Sequence, residues 1–596
     1  MRISLRLLSS AVQKTPFYIT TPIFYVNAAP HLGHLYTAVV ADAIQRFEKL
    51  TNPDCQVIFS TGTDEHGTKI QQAAAKAKLS LPEYCSNVSN EYRQLFRDFN
   101  NKLVQKDYVY KSKYSGWYSV NDEAFVPETH VKDEVRDGEN VKVSIESGHK
   151  VEWTEETNYM FRLSAFKSHL QQWLKNDGVI TPSKFQKQLQ EMLATDAYLP
   201  DISVSRPSSR VHWAIRVPGD EEQSIYVWLD ALVNYLTVAG YPDRAAMVDR
   251  GRPWPADVHV VGKDILKCPS RWATSSVRGP RPWSTTRCAI YCSGRPPWLV
   301  MLMSKSLGNV VCPRATPVEY DALRYLLLRE ATMASDAILN IVYWTVDGAK
   351  MSKSLGNVVC PRATPVEYDA LRYLLLREAT MASDANFSLT KLINVANSEL
   401  ADSLGNLASR CCGTALNPLQ EFPALQPAEF TQLLQGEHAA LLVEFVEALP
   451  EICYTHYKNY QFYKAVDAVI KVLHVANLFF ETTKPWELRK NPEKQKELDV
   501  ILHVTMETLR ICGIVLQPII PEMSKKLLDK LQIGSNCRSW QHCETPSWRL
   551  KGAIYETKHI QSGKFVLFQR IYEKKAKVER QVQIEKKKAQ KKKVSV

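Results

Sequence analysis

FYITTPIFYVNAAPHLGHLYTAVVADAIQRFEKL, residues 17–50, is the stretch that decides the fold of this 596-residue chain. Its first ten residues are β-branched and aromatic, the composition of a buried strand. The run stops at Asn27–Pro30, and beyond Gly33 the residues Leu35, Val39, Ala43 and Phe47 recur at helical spacing as far as Leu50. A second apolar run, Gln56–Ser60, follows within a few residues. Strand, tight turn, helix and strand make a βαβ unit, the opening of a doubly wound parallel sheet that binds nucleotides.

The turn carries its own chemistry. His31, Leu32, Gly33 and His34 sit where the strand gives way to the helix. A helix N-terminus presents unpaired N–H groups and the positive end of its dipole, Gly33 allows a flat base to approach the backbone, and two imidazoles can donate to phosphate oxygens. Four such residues in isolation would fit metal ligation or chance equally well. At this position they point to a nucleoside triphosphate. Far downstream, Lys350-Met351-Ser352-Lys353-Ser354-Leu355-Gly356-Asn357 puts two lysines on a loop of small residues, suited to closing over a triphosphate and neutralising charge in a transition state.

Outward from these two elements, length predicts several domains of about 100–200 residues each. Hydrophobic residues at 45% and aromatics at 10% exclude a mostly disordered chain, and no window approaches the roughly 18–20 apolar residues of a membrane-spanning helix. Net charge +12 permits a polyanionic partner without requiring one. Thirteen cysteines without a C-x2-C pair read as reduced thiols; the spacing of Cys288 and Cys292 and the adjacent Cys411 and Cys412 read as chance rather than as a zinc site. The first carboxylate is Asp42, and the basic, Ser- and Leu-bearing start of the chain fits a mitochondrial presequence over 1–16, or else a frayed basic terminus. Short alternating strands are expected around 110–155, the parallel sheet is expected to resume at Ser224–Val227 and Val258–Val261, and about five helices are expected between Leu389 and Leu531, with breaks at Asn417–Pro418 and Lys484–Pro485.

Two stretches break the pattern. Met303–Ala337 and Met351–Ala385 are identical over 35 residues at an offset of 48, a pair that resembles a duplicated exon or an assembly error, not a repeat architecture. Cys268–Leu302 holds five Arg, five Pro and no acid, with no helical or strand period; translation in another reading frame would give such text, as would a surface insertion, and the former is the reading favoured here.

The two signatures together resemble those of the class I aminoacyl-tRNA synthetases, and within them the methionyl-tRNA synthetases of mitochondria. TTPIFYVNAAPHLGHLYTAVVADA (20–43), STGTDEHGTKIQQAA (60–74), YSGWYSVNDEAFVPE (114–128), IYVWLDALVNYLT (225–237), HVVGKDILK (259–267), WTVDGAKMSKSLGNVV (344–359) and SELADSLGNLASR (398–410) carry the likeness, which covers most of 17–550. The resemblance implies a Rossmann-like α/β catalytic sheet with a small inserted β-rich module, followed by an all-α anticodon-binding bundle. It divides the chain into a presequence (1–16), a first catalytic half (17–100), a connective module (101–205), a second catalytic half (206–345), the lysine loop with a stem-contact region (346–388), the helical domain (389–540) and a C-terminal extension (541–596).

The resemblance also assigns roles. Tyr25, Asp64, Trp228, Ala231 and Tyr235 would form the methionine pocket, Asp64 holding the amino group and the aromatics the thioether. His31, Gly33, His34, Gly262, Asp264 and Lys353 would bind ATP, with His31, His34, Lys350 and Lys353 catalytic. Asn406, Arg410 and Trp486 would read the anticodon. ATP with Mg2+, methionine and tRNA(Met) are the implied ligands of a monomeric enzyme of the mitochondrial matrix. The knuckle at Tyr118–Glu123 reads YSVNDE and has lost every cysteine, so no structural zinc is expected.

Departures are equally specific. Pro269 and Ala273 stand where the family has a His and a Trp that complete the two pockets, a change expected to cost transition-state stabilisation. Leu302 replaces the leading lysine before the first copy of the loop, so function falls to the second copy. A helical segment is missing between Asn100 and Asn101. Lys574–Lys593 lies outside the resemblance; it offers sequence-independent attraction to tRNA, or is a solvated tail. A non-catalytic tRNA- or nucleotide-binding relative is the rival reading.

Overall fold

The structure is a computed structural model that describes residues 16–25, 31–64, 109–119, 124–126, 128, 131–136, 139–145, 148–194, 201–211, 214–217, 219–239, 256–262, 337–341, 344–346, 348–351, 357–359, 361, 364, 366–550 and 557–572. The presequence up to residue 15, Asp264, Lys353, Cys268–Leu302, the first copy of the repeat up to Asp336 and the lysine tail lie outside the described residues.

Strand β1 (Phe17–Tyr25), helix α1 (Leu32–Thr51) and strand β2 (Val57–Asp64) form the expected βαβ unit, with β1 and β2 paired in parallel from Phe17↔Val57 to Tyr25↔Asp64. Pro22, which has no N–H to give, sits in the middle of β1, and the register shifts between Thr20 and Ile23 to accommodate it. α1 buries Leu32, Tyr36, Val39, Val40, Ala43, Ile44, Phe47 and Leu50 along one face.

An antiparallel module follows. Strands β3 (Val109–Ser119), β4 (Ala124–Val126), β5 (Val131–Arg136), β6 (Glu139–Ser144) and β7 (Glu152–Phe161) make the β-rich insertion, with β3 and β7 paired from Val109↔Phe161 to Tyr118↔Glu152. Its neighbours α2 (Lys167–Trp173), β8 (Ile180–Thr181) and α3 (Ser183–Leu193) behave differently: β8 joins the edge of the catalytic sheet. Part of 101–205 therefore belongs structurally to the catalytic unit.

The stretch Ser224–Val227 does not extend the parallel sheet. Strands β9 (Ile202–Ser203), β10 (Ser205–Pro207), β11 (Arg216–Val217) and β12 (Asp220–Ile225) are antiparallel additions, and β12 pairs only with β10 and β11 before α4 (Val227–Ala239) begins. The apolar run IYVW crosses a strand end and a helix start, and a run that short carries no period to tell them apart. The parallel sheet resumes with β13 (Val258–Gly262) and β14 (Ala337–Ile341), giving the order β2-β1-β13-β14-β8.

Beyond it come β15 (Trp344–Val346), β16 (Ala349–Lys350), α5 (Tyr368–Glu378) and β17 (Ala385–Phe387). The helical domain opens with α6 (Leu389–Val395), which runs through a π-helical stretch, Ala396–Gly405, into α7 (Asn406–Cys411). Its long helices are α8 (Glu437–Lys458), α9 (Phe462–Thr483), α10 (Gln495–Val515) and α11 (Pro521–Lys530), and Lys484, at φ 46°, ends α9 as expected. β18 (Glu421–Phe422) pairs with β19 (Lys558–His559), so the C-terminal segment returns to the bundle.

Catalytic sheet and bundle share one apolar core, and a single guanidinium joins them. Arg372 on α5 is 2% exposed; it pairs with Asp42 of α1 at 2.6 Å and donates to the carbonyls of Ile519 at 2.8 Å and Pro518 at 2.6 Å. Asp42, held also by Arg46 and Gln45, stays below the ordinary carboxylate range although burial opposes it. At the far end of α1, Phe47 packs on Tyr457 and Trp540, the Trp540 N–H donates to the Leu50 carbonyl, and Lys458 pairs with Glu48 at 2.8 Å.

Two predictions follow from this interior. Arg372→Met takes from Asp42 its buried cationic partner, leaving Arg46 and Gln45, and takes the donor from two carbonyls; it is expected to cost about 3–5 kcal/mol, whereas Arg46→Met at the exposed rim costs under about 1 kcal/mol; denaturation midpoints of the two variants distinguish them. His259 of β13, buried and bonded through Nδ1 to Thr20 Oγ1 at 2.6 Å, has its pKa pushed down from 6.5 to about 4 by burial. The unfolded chain takes up this proton first, so the contribution is complete above pH 6.5 and is lost as pH falls toward 4, by about 3 kcal/mol. His259→Gln should flatten that part of the acid-stability profile, measured as thermal midpoint against pH.

Candidate active site and anticodon face

Four parallel strands end on the same edge of the sheet, and their last residues are Asp64, Tyr25, Gly262 and Ile341. The chain leaves β1 toward β2 on one side and meets β13 on the other, so the crevice between β1 and β13 is the topological switch point where such sheets take their ligands. The candidate methionine residues Tyr25 and Asp64 are Cα partners there, and the ATP candidate Gly262 closes the neighbouring strand.

The histidine signature opens α1 as a reciprocal cap. The Gly33 N–H donates to His31 Nδ1 at 3.1 Å and the His31 N–H to His34 Nδ1 at 3.3 Å. With both Nδ1 atoms accepting, each neutral ring carries its proton on Nε2, the form that donates to a phosphate oxygen. The two rings stack at 3.9 Å and 21°, and Phe24 from β1 lies 5.4 Å from His34. Gly33 has a second reason to be glycine: a Cβ there would stand 3.0 Å from the His31 ring. A side chain would push the imidazole out of its cap.

The described residues that flank the lysine loop meet the same helix start. Lys350 ends β16, Met351 is buried in the shared core with Leu32 and Tyr36, and Trp344 meets Tyr36 edge-on at 5.9 Å. The Leu32 N–H donates to the Val359 carbonyl at 3.1 Å, so the chain just beyond the loop supplies one of the helix's N-terminal acceptors. The side chains of Lys350, Tyr25 and Trp228 lie outside the described residues, as do Lys353 and Asp264 entirely.

Ala231 and Tyr235 are buried on α4, and the Tyr235 ring meets His259 edge-on at 5.5 Å, which seats this helix against β13. Burial holds the Tyr235 phenol above its usual range and pushes the Asp230 carboxyl up to about 7. Sequence reasoning did not single out Asp230, His259 or the Asp42–Arg372 pair. A signal existed for Asp42, the first carboxylate of the chain, set among apolar helix positions.

The anticodon candidates also come together. Asn406 is exposed at the start of α7, and Arg410 lies one turn on. The Arg410 guanidinium sits 4.9 Å from the Phe480 ring and 5.2 Å from the Trp486 ring, and pairs with Glu481 at 2.5 Å. The π-helical turn delivers this face: a Cβ at Gly405 would stand 2.9 Å from the Leu400 carbonyl. An exposed polar residue, a cation and an aromatic in one patch are suited to an unstacked base.

Among the described residues no group of three or more His, Cys, Asp or Glu could hold a metal ion, no helix is long and apolar enough to cross a membrane, and seven cysteines are free thiols. Residues 120–123 of the knuckle, Cys288 and Cys292 lie outside the described residues.

Comparison with known proteins places the whole arrangement. The family pattern described as "tRNA synthetases class I (M)" matches residues 17–101, 94–342 and 337–412, and "Anticodon-binding domain of tRNA ligase" matches 441–595. The first pattern breaks near 94–101 and 337–342, beside the junction at Asn100 and at the end of the first repeat copy. The mitochondrial methionine–tRNA ligase of Homo sapiens is 40% identical over 88% of this chain and 85% of its own length; that of Takifugu rubripes is 38% identical over 97% and 93%. The Mycobacterium tuberculosis methionyl-tRNA synthetase in complex with methionyl-adenylate superposes with a TM-score of 0.73 at 30% identity, covering 93% of this chain and all of that one. With the signatures, the switch-point crevice and the bundle in one chain, it belongs to the methionyl-tRNA synthetases of class I, alongside the mitochondrial members.

Proposed function

We propose that the chain activates methionine with ATP and transfers it to the 3′ end of tRNA(Met) in the mitochondrial matrix, as a monomer that takes ATP as its Mg2+ complex. The observation that carries this reading is the joint between the two signatures, where the backbone beyond the lysine loop bonds to the residue between His31 and Gly33.

In the first step a methionine carboxylate oxygen attacks the α-phosphorus, the bond to the bridging β-oxygen breaks, and pyrophosphate leaves. The carboxylate is already ionised at neutral pH, so no general base is needed. His31 and His34 donate through Nε2 to the phosphates, and Lys350 and Lys353 neutralise the charge that moves onto the leaving group. Gly33, Gly262 and Asp264 border the adenosine. Asp64 takes the ammonium of methionine, and Tyr25, Trp228, Ala231 and Tyr235 enclose its thioether. In the second step a hydroxyl of the terminal ribose attacks the methionyl carbonyl and AMP leaves. Asn406, Arg410 and Trp486 select the tRNA by its anticodon. We keep the domain limits expected from sequence as part of this proposal, with Ile180–Thr181 assigned to the catalytic sheet that it pairs with.

Lys353→Ala provides the test. Methionine-dependent charging of tRNA(Met) should fall by about 10²–10³, while tRNA affinity, measured by filter binding, stays within about twofold. Charging at the wild-type rate in this variant would remove the second lysine loop from the mechanism. Arg410→Ala should do the reverse, weakening tRNA binding and leaving ATP–pyrophosphate exchange intact.

A further inference from the structure

At the edge of the sheet opposite to the one where Tyr25 and Gly262 end lies a second concavity. It is a cleft of about 240 Å³ between the first residues of β1 and β13, the last turns of α1, the turn before β8 and the end of α8. The nine residues of β1, rising about 3.3 Å each, put roughly 26 Å between it and the catalytic crevice. Phe17, Phe47, Tyr457 and Val258 give it an apolar wall, and Glu48, Asp177 and Asp257 set three carboxylates against the one ammonium of Lys458.

That ammonium is already engaged. It pairs with Glu48 at 2.8 Å and lies 5.5 Å from the centre of the Phe47 ring, a cation held between a carboxylate and an aromatic face. The other half of the cleft repeats the carboxylate and the ring in Asp257 and Tyr460. Asp257 accepts the Tyr18 N–H at 2.7 Å and has no cationic partner among the described residues. Tyr460, just beyond α8 at φ 56°, lines the cleft, and its hydroxyl has no hydrogen-bond partner among the described residues. Burial pushes the Tyr460 phenol above its usual range, and the Glu48 and Asp257 carboxylates push it the same way; burial also raises Asp257, with Glu48 adding to it although the Tyr18 N–H opposes. Each of these groups disfavours the negative form of the others, and a positive charge among them reverses that.

We propose that this cleft is a second ligand site of the chain, taking a small organic ammonium ion whose ammonium donates to Asp257 and to the Tyr460 hydroxyl and whose apolar body lies against Phe17, Phe47 and Tyr457. The inference is independent of the proposed reaction. Charge and size both exclude a nucleotide, since pockets that bury drug-sized ligands start at about 300 Å³. Phe47, Glu48 and Lys458 also hold the end of α1 on the bundle, so the complete lining exists only while the two are docked, and the ligand stabilises that docked form.

The test titrates tryptamine into the full chain by calorimetry, with and without saturating methionine, which occupies the amino-acid pocket proposed at Asp64. One equivalent should bind with a Kd of about 1 mM or tighter in both cases, and the thermal midpoint should rise with tryptamine concentration. Tryptophol, in which a hydroxyl replaces the ammonium, should bind at least about tenfold more weakly. Asp257→Asn, which keeps an acceptor for the Tyr18 N–H, should weaken tryptamine by a similar factor of about ten, and Tyr460→Phe, which keeps the ring, by about threefold. If Asp257→Asn does not fold, Tyr460→Phe and tryptophol decide alone. Equal affinity for tryptophol would overturn the proposal, as would tryptamine affinity unchanged in the variants. Displacement of tryptamine by methionine would assign the amine to the catalytic crevice and also overturn it, and so would the absence of binding up to about 10 mM.

Discussion

A buried guanidinium is the constraint on which the arrangement depends. Arg372 touches Asp42 in the middle of α1 and two carbonyls at the turn between α10 and α11, so removing it takes the buried partner from a carboxylate on one side of the joint and the donor from two carbonyls on the other at once. α1 is thereby gripped at its middle by Arg372 and at its far end by Phe47, Leu50 and Glu48 against the bundle. Its first turn carries His31 and His34. The position of the two imidazoles proposed to bind phosphate is thus set by the same helix that the anticodon domain holds.

Such a design suits chemistry that needs no strong acid or base. Adenylate formation from an ionised carboxylate gains mostly from alignment and from fixed donors aimed at the phosphates. In the proposed mechanism the reciprocal cap, with both Nδ1 atoms accepting, would supply those donors, and the parallel strands that end together at Tyr25, Asp64 and Gly262 would supply alignment. The bond from Leu32 to Val359 ties the chain just beyond the lysine loop to the start of the same helix.

Much of this was legible in the sequence, where local pattern and local structure coincide. β1, α1 and β13 fell where the apolar periods put them, and the helical domain broke at Lys484 as expected. Ser224–Val227 misled because an unbroken apolar run spans a strand end and a helix start. Ile180–Thr181 escaped notice because a two-residue edge strand has no period at all. Arg372 and Asp42, 330 residues apart, form a pair that only tertiary structure creates, and the same holds for the Arg410–Trp486 contact and for the β18–β19 pair. The proposed substrate pocket comes from resemblance alone, since nothing in the spacing of Asp64, Ala231 and Tyr235 places them together.

The most direct measurement is ATP–pyrophosphate exchange by the purified chain, with methionine set against leucine, isoleucine, valine and cysteine. Exchange driven by methionine alone is the predicted result, and would show that Pro269 and Ala273 still leave a working pocket. A chain that binds tRNA(Met) but exchanges with none of the five would contradict the account and leave a binding protein built on a synthetase fold.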